Sequence, residues 1–209
     1  MKRVTISMPC FGRPQRTVRA IECVASQTAN NWEALITGDG CPIIQDFIDS
    51  NYFYDLQQDC KAKGNDLIIS NQPENKGGNG YAVTNLNREL AKGNYFLFFD
   101  NDDIILPNHL ENYLSEIEGT DLDFVYFNTE VKPTNRIRVP SLQYGCIGHS
   151  ELIIRTEFLK QMPPHTEHYG HDWTLIESMM QNGKSKKAEH SPATYWVMSL
   201  AGNREQGID

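Results

Sequence analysis

Tyr95-Phe96-Leu97-Phe98-Phe99-Asp100-Asn101-Asp102-Asp103 joins five consecutive apolar residues to three carboxylates within four positions. An uninterrupted apolar run of this length suits a strand covered on both faces, as in a parallel sheet sandwiched between helices. In open α/β sheets ligands settle in the crevice beyond the carboxyl ends of the strands, and this order of residues puts the acids there. Neighbouring anions repel one another unless a cation joins them. An oxygen-preferring divalent ion, magnesium or manganese, suits such a cluster and gathers substrate phosphates with it. The plainer reading is an acidic turn capping the next helix, since Asp favours both turns and N-caps.

Working outward, Ile104-Ile105-Leu106-Pro107 follows the acids, and Pro107 is suited to begin a helix that continues through Tyr113, Leu114 and Ile117. Upstream, Val4-Thr5-Ile6-Ser7-Met8 reads as a first strand stopped by Pro9. Residues 17–26 carry Val18, Ile21, Val24 and Ala25 on one helical face, and residues 32–37 read as a second strand running into Gly38-Asp39-Gly40-Cys41. A further helix lies within residues 43–63, and Leu67-Ile68-Ile69 is a short strand. Strand and helix alternate, which predicts an α/β fold with a mostly parallel sheet flanked by helices.

The chain has 209 residues, enough for one core, and is expected to form a single domain over 1–209. A net charge of −8 withholds the basic footprint of a nucleic-acid binder. The local cluster Lys184, Lys186 and Lys187 is read as a solvated helix end. Cys10, Cys23, Cys41, Cys60 and Cys146 are odd in number and lack C-x-x-C spacing, so they read as reduced thiols, pointing to the cytoplasm and away from a zinc site. No apolar run approaches the roughly 20 residues of a transmembrane helix, and the first residues leave no room for a signal peptide.

The string from Phe96 to Leu110 resembles the Asp-x-Asp segment of family 2 glycosyltransferases of the GT-A fold: apolar strand, D-x-D-D, short apolar stretch, Pro. Three N-terminal elements add to the resemblance in the family's order. They are Ile6-Ser7-Met8-Pro9-Cys10-Phe11-Gly12-Arg13-Pro14, Ser26-Gln27-Thr28 and Ile36-Thr37-Gly38-Asp39-Gly40-Cys41. The resemblance implies that residues 1–110 bind a nucleoside-diphosphate sugar, most readily a UDP-sugar, and that 111–209 bind the acceptor. Pro9 and Phe11 then wall the base pocket, and Asp39 accepts a hydrogen bond from the base. Asp102 is the leading metal and diphosphate ligand, for Mn2+ or Mg2+. Asp100 contacts ribose or sugar as a further candidate ligand, Asn101 lies between them among the donor-facing positions, and Asp103 supports the loop. On its own residues, Asp39 also reads as a plain turn residue. Gly38 replaces the first Asp of the family's usual pair.

Asn75-Lys76-Gly77-Gly78-Asn79-Gly80-Tyr81 is glycine-rich without being a P-loop. The family's arginine after this loop is absent, leaving its diphosphate-facing role to Lys76, to Arg13 or to the metal alone. Gly170-His171-Asp172-Trp173 opens a helix expected to reach about residue 181, with Gly183 as its cap. The family commonly has Glu-Asp there, so the resemblance makes Asp172 the base that deprotonates the acceptor, with His171 in place of Glu. Capping of the helix by Asp172 is the alternative. His149 matches a position where some relatives carry a histidine near metal and acceptor, and a structural histidine fits equally. Residues 163–169 read as a mobile lid or an inert loop, and Trp173 as a sugar-stacking or core residue. The late strand of Tyr195-Trp196-Val197-Met198 lacks the histidine that often follows it in the family.

The whole implies a metal-dependent inverting glycosyltransferase. Its acceptor hydroxyl belongs to a carbohydrate, a lipid carrier, a protein or a modified nucleobase. A silent sugar-nucleotide-binding scaffold and, further off, a sugar nucleotidyltransferase are the rival readings.

Overall fold

The structure, a computed structural model, describes residues 2–77, 80–168, 170–188 and 193–198. Gly78 and Asn79 of the glycine-rich stretch, Tyr169, and the positions after Met198 therefore lie outside the described residues.

A seven-stranded sheet forms the centre. Its strands are β1 (Lys2–Cys10), β2 (Trp32–Gly38), β3 (Asp66–Asn71), β4 (Gly93–Phe98), β6 (Phe124–Tyr126), β9 (Leu152–Arg155) and β10 (Ser185–Lys187), in the order β10-β6-β9-β4-β1-β2-β3. The pairs β1·β2, β1·β4, β2·β3 and β6·β10 are parallel, and β9 runs antiparallel between β4 and β6. The fold is α/β with a mostly parallel sheet, as the alternating pattern predicts. A four-stranded second sheet, ordered β5-β11-β7-β8, joins β5 (Ile104–Ile105), β7 (Thr129–Lys132), β8 (Arg136–Arg138) and β11 (Tyr195–Met198).

The apolar run at residues 95–99 is explained by two cores. Alternate side chains of a strand point to opposite faces. Tyr95, Leu97 and Phe99 enter one core with Ile21 and Val24 of α1 (Pro14–Ala25) and Tyr113 and Leu114 of α5 (His109–Ile117). Phe96 and Phe98 enter the other with Phe158 and Leu159 of α6 (Thr156–Leu159) and Ile176 and Met179 of α7 (His171–Asn182). Both cores close over a strand whose central residues are fully shielded, so polar substitution at Leu97 or Phe96 has no compensating water.

Four boundaries differ from the sequence expectation. Strand β1 continues through Pro9, which pairs with Thr37 of β2. On its other side β4 has ended, because the last bond there runs from Phe99 N–H to the Ser7 carbonyl, and the missing Pro9 N–H leaves no ladder bond unmade. The helix within residues 43–63 is two helices, α2 (Pro42–Ile48) and α3 (Asn51–Ala62), with Pro42 at the start of the first. Pro107 stands in the turn before α5, whose N-cap is Asn108. Lys186 and Lys187 are in β10 rather than at a helix end. Lys184 pairs with Asp121 at 2.6 Å and Lys186 with Glu116 at 2.9 Å, which dissipates that basic cluster into ion pairs.

Candidate active site

The carboxyl ends of β1, β2 and β4 border a cleft of about 460 Å³. Pro9, Phe11, Arg13, Asp39, Asp100, Asn101 and Asp102 all line it, with Cys10, Asn75, Gly77 and Gly80. Seven of the eight residues expected to face a donor thus share one cavity. The exception is Lys76: its ammonium pairs with exposed Glu74 at 2.8 Å, outside the lining. What Lys76 brings is its backbone, whose N–H donates to Asp39 Oδ1 at 2.9 Å.

Asp39 is a loop organiser. Its second carboxylate oxygen accepts the Gly77 N–H at 3.2 Å, and its carbonyl accepts Asn75 Nδ2 at 2.9 Å. A carboxylate oxygen has two acceptor positions, so each still has room for one further donor from the cleft. Beside it, Gly40 sits at φ +61°, and a Cβ there would strike the backbone of Glu74 and Asn75. At Gly38 a Cβ would meet the Asn71 amide, whose ends bond the Cys41 N–H at 3.0 Å and carbonyl at 2.9 Å. The side chain missing at Gly38 is thus replaced by one reaching in from β3.

Helix α1 supplies the counter-charge to the acid loop. Arg13 Nη1 lies 2.7 Å from Asp102 Oδ2, Arg16 Nη1 lies 4.0 Å from the same oxygen, and Arg19 Nη2 donates to the Asp102 carbonyl at 3.2 Å. Asn101 Nδ2 donates to Thr17 Oγ1 at 2.8 Å, so its amide anchors the loop as well as lining the cleft. Arg13 precedes the helix as its N-cap, and Arg16 and Thr17 lie in its first turns, positions visible in the sequence whose target was not. Arg13 itself, the N-cap, is left-handed at φ 54° and ψ 56°, an uncommon conformation for a residue other than Gly, Asn or Asp.

Burial pushes the Asp102 carboxyl above its ordinary value; Arg13 opposes this and the Asp100 charge adds to it. A cation between Asp100 and Asp102 would relieve both effects, and Arg13 already stands on Asp102 as one. The donor set, carboxylate oxygens at the mouth of a cleft, fits the magnesium or manganese implied by the sequence.

Next to the acid loop, His149 bridges two carboxylates. Its Nε2 is 3.6 Å from Asp100 Oδ1 and its Nδ1 is 2.9 Å from Asp172 Oδ1. His171 Nε2 approaches the same Asp172 oxygen at 3.2 Å. Burial alone would raise the Asp172 carboxyl, but His149, then His171 and His165, hold it well below the usual carboxylate range. Burial would lower the His149 imidazolium, yet Asp172 and Asp100 together raise it well above its ordinary value. The structure therefore brings His149, His171 and Asp172 together, and connects them to the cleft through Asp100. Helix α7 begins at His171 with Gly170 as N-cap, and no side chain caps it. Asp172 is turned to the histidines instead of to its own helix end.

Within the 163–169 segment, the first residues are tied to the neighbouring helix. Arg88 of α4 (Tyr81–Leu90) donates to the carbonyls of Met162 and Pro163, and Asn85 bonds both the N–H and the carbonyl of His165, at 2.9 and 2.8 Å. Trp173 is partly buried against the second core, with Tyr144 edge-on at 5.9 Å between ring centres. Sequence reasoning missed His165, Arg16 and Thr17. His165 sits in an irregular segment without periodicity, and the other two looked like ordinary positions of an amphipathic helix.

Similarity to known proteins agrees with this geometry. Over 135 residues the chain is 31% identical to the UDP-Glc:alpha-D-GlcNAc-diphosphoundecaprenol beta-1,3-glucosyltransferase WfgD of Escherichia coli, a match spanning 64% of this chain and 48% of that protein. Staphylococcus aureus TarS 1-349 in complex with UDP-GlcNAc superposes with a TM-score of 0.73 at 15% identity, over 96% of this chain and 59% of the other. The mannosyltransferase PcManGT from Pyrobaculum calidifontis, in complex with GDP-Man and Mn2+, superposes with a TM-score of 0.64 at 13% identity, over 96% and 58%. These neighbours share the GT-A fold. The chain spans about half the length of such relatives. With the model for glycosyl transferase family 2 matching residues 5–177, the chain belongs to that family.

Proposed function

We propose that the protein transfers a sugar from a UDP-sugar to an acceptor hydroxyl with inversion, within one domain whose residues 1–110 hold the donor and 111–209 the acceptor. One observation carries this: the aromatic, acidic and basic residues suited to a nucleoside diphosphate line one cleft, and Asp172 stands beside it behind the His149 bridge. The UDP and UDP-GlcNAc named with TarS support the choice of base, and the name of the E. coli relative supports a lipid-linked carbohydrate among the acceptor classes.

Pro9 and Phe11 flank the base, and the spare acceptor positions of Asp39 take its imide N–H. Arg13 turns from Asp102 towards the diphosphate. Asp102 and Asp100 would hold a manganese or magnesium ion, which when bound neutralises charge on the leaving diphosphate. Asp172, kept ionised by its histidines, takes the acceptor proton as the acceptor oxygen bonds the anomeric carbon and the bond to the diphosphate breaks. A single displacement leaves no covalent sugar on the protein and inverts the anomer. The five cysteines are free, which supports a reaction in the cytoplasm. Among the described residues no helix is long and apolar enough to cross a membrane.

A panel of nucleotide sugars with manganese tests the reading. The right donor raises the melting temperature and releases UDP slowly without acceptor, and Asp102→Ala removes both effects. Equal UDP affinity in manganese and in EDTA would sink the metal assignment. Binding without UDP release under any condition would make the protein a nucleotide-sugar-binding scaffold.

A further inference from the structure

Among the described residues, His149, His165 and Asp172 form the one group whose ligand atoms converge closely enough for a metal ion, all lying within 4.8 Å of one another. This cluster is distinct from the acid pair Asp100 and Asp102, although His149 also approaches Asp100 at 3.6 Å. His165 is 3% exposed, and neither of its ring nitrogens has a hydrogen-bond partner. Buried imidazole nitrogens are ordinarily satisfied, so two orphans on one ring mark a missing partner. His149 Nδ1 and Asp172 Oδ1 stand 2.9 Å apart beside it, near enough for one ion to replace the proton between them. Around a tetrahedral zinc, ligand atoms at about 2.0–2.1 Å from the metal lie roughly 3.3 Å from one another.

The surroundings hold these side chains as a second layer holds ligands. The His165 backbone is bonded at both N–H and carbonyl by Asn85. The His149 ring stacks on Phe98 at 4.7 Å between centres, and His165 sits edge-on to the same ring at 5.4 Å. His171 Nδ1 contacts the Thr166 carbonyl at 2.8 Å, which leaves Nε2 facing Asp172 at 3.2 Å, in reach of a fourth position. The Asp172 side chain is 32% exposed, so an ion has a way in.

We propose that His149, His165 and Asp172 form a second cation site on the acceptor side, taking one borderline transition metal, zinc foremost. Two imidazoles and one carboxylate match zinc, cobalt and their neighbours and not magnesium, and three protein ligands leave a position open. If Asp172 is the proton acceptor of the proposed transfer, cation and proton compete for the same carboxylate there.

The test is titration of the whole chain with Co2+, without nucleotide or acceptor, followed by visible absorption and calorimetry, with displacement by Zn2+. One equivalent should bind with the absorption of a four- or five-coordinate ion. His165→Gln should weaken it by at least about 10–100-fold, the usual effect of disturbing a metal's surroundings. Asp102→Asn should leave it unchanged. Circular dichroism reports whether His165→Gln folds, and Asp172→Asn, at the most exposed ligand, makes the same prediction if it does not. Absence of cobalt binding, binding unaffected by both substitutions, or binding lost in Asp102→Asn would overturn the site. Because nucleotide and acceptor are absent, this result stands or falls apart from the transfer reaction.

Discussion

Arg13 combines a strained backbone with the shortest contact to Asp102, and these two properties are separable by substitution. Its left-handed conformation costs about 1–2 kcal/mol in a non-glycine residue. Arg13→Gly removes that strain together with the guanidinium. The melting temperature should hold or rise, while the dissociation constant for a UDP-sugar should increase about tenfold, the worth of one charge-assisted contact. Unchanged affinity by calorimetry would remove Arg13 from the diphosphate. Asp172 is a second case in which stability and activity part company. It caps nothing, so Asp172→Asn should not unravel α7 and should leave UDP-sugar affinity nearly unaltered. Transfer should fall on the order of 10²–10⁴-fold, the contribution of a positioned base. Retained turnover would shift the proton acceptor to His149 or His171.

At the scale of elements, the acid loop is held from both ends of the chain. Helix α1 grips it through Arg13, Arg16, Thr17 and Arg19, and β11 grips it through Asp103. The Asp103 carboxylate accepts the Tyr195 hydroxyl at 2.9 Å and the Met198 N–H at 2.7 Å, and Tyr195 Oη accepts the Asp100 N–H at 3.3 Å. Burial raises the Asp103 carboxyl, with the charges of Asp100 and Asp102 adding to it and the two hydrogen bonds resisting. Tyr195→Phe leaves the buried Asp103 carboxyl short of a hydrogen-bond partner and should cost about 1–3 kcal/mol. For a domain of this size that lowers the melting temperature by several degrees, roughly 2–4 °C per kcal/mol. A thermal scan within 1 °C or so of wild type would mean that β11 does not support the loop. The strand and its acids were legible because they are contiguous and locally patterned. The clasp was not, since Asp103 and Tyr195 are 92 positions apart and no local pattern couples them. Strands β5, β7 and β8 were missed for a related reason: at two to four residues, mostly half exposed, they show no period to count.

For the whole molecule, the two cores make the sheet the stable part and leave its carboxyl edge for chemistry, so titration of a core group reports folding with little interference from the site. His109 is such a group. It is fully buried, its ring centre is 3.9 Å from that of Tyr113, Nδ1 meets Thr194 Oγ1 at 2.9 Å, and Nε2 has no partner. Burial lowers its pKa to about 3, below the ordinary value of 6.5 that it regains on unfolding. A histidine shifted downwards contributes stability that is complete above about pH 6.5 and is lost as pH falls towards 3, because only the unfolded chain takes up the proton. The loss is about 1.4 kcal/mol per pH unit once below 6.5. His109→Gln cannot titrate, so it should be less stable than wild type at pH 7.5 through poorer packing, with a difference that shrinks by about 2 kcal/mol at pH 5.0. Urea unfolding of both proteins at the two pH values measures that change, and comparing the pair cancels the shared histidines of the site, including His149, whose raised value acts in the opposite direction. A difference that stays constant with pH would mean that His109 is already hydrated or protonated in the fold, and that the core around α5 is not closed.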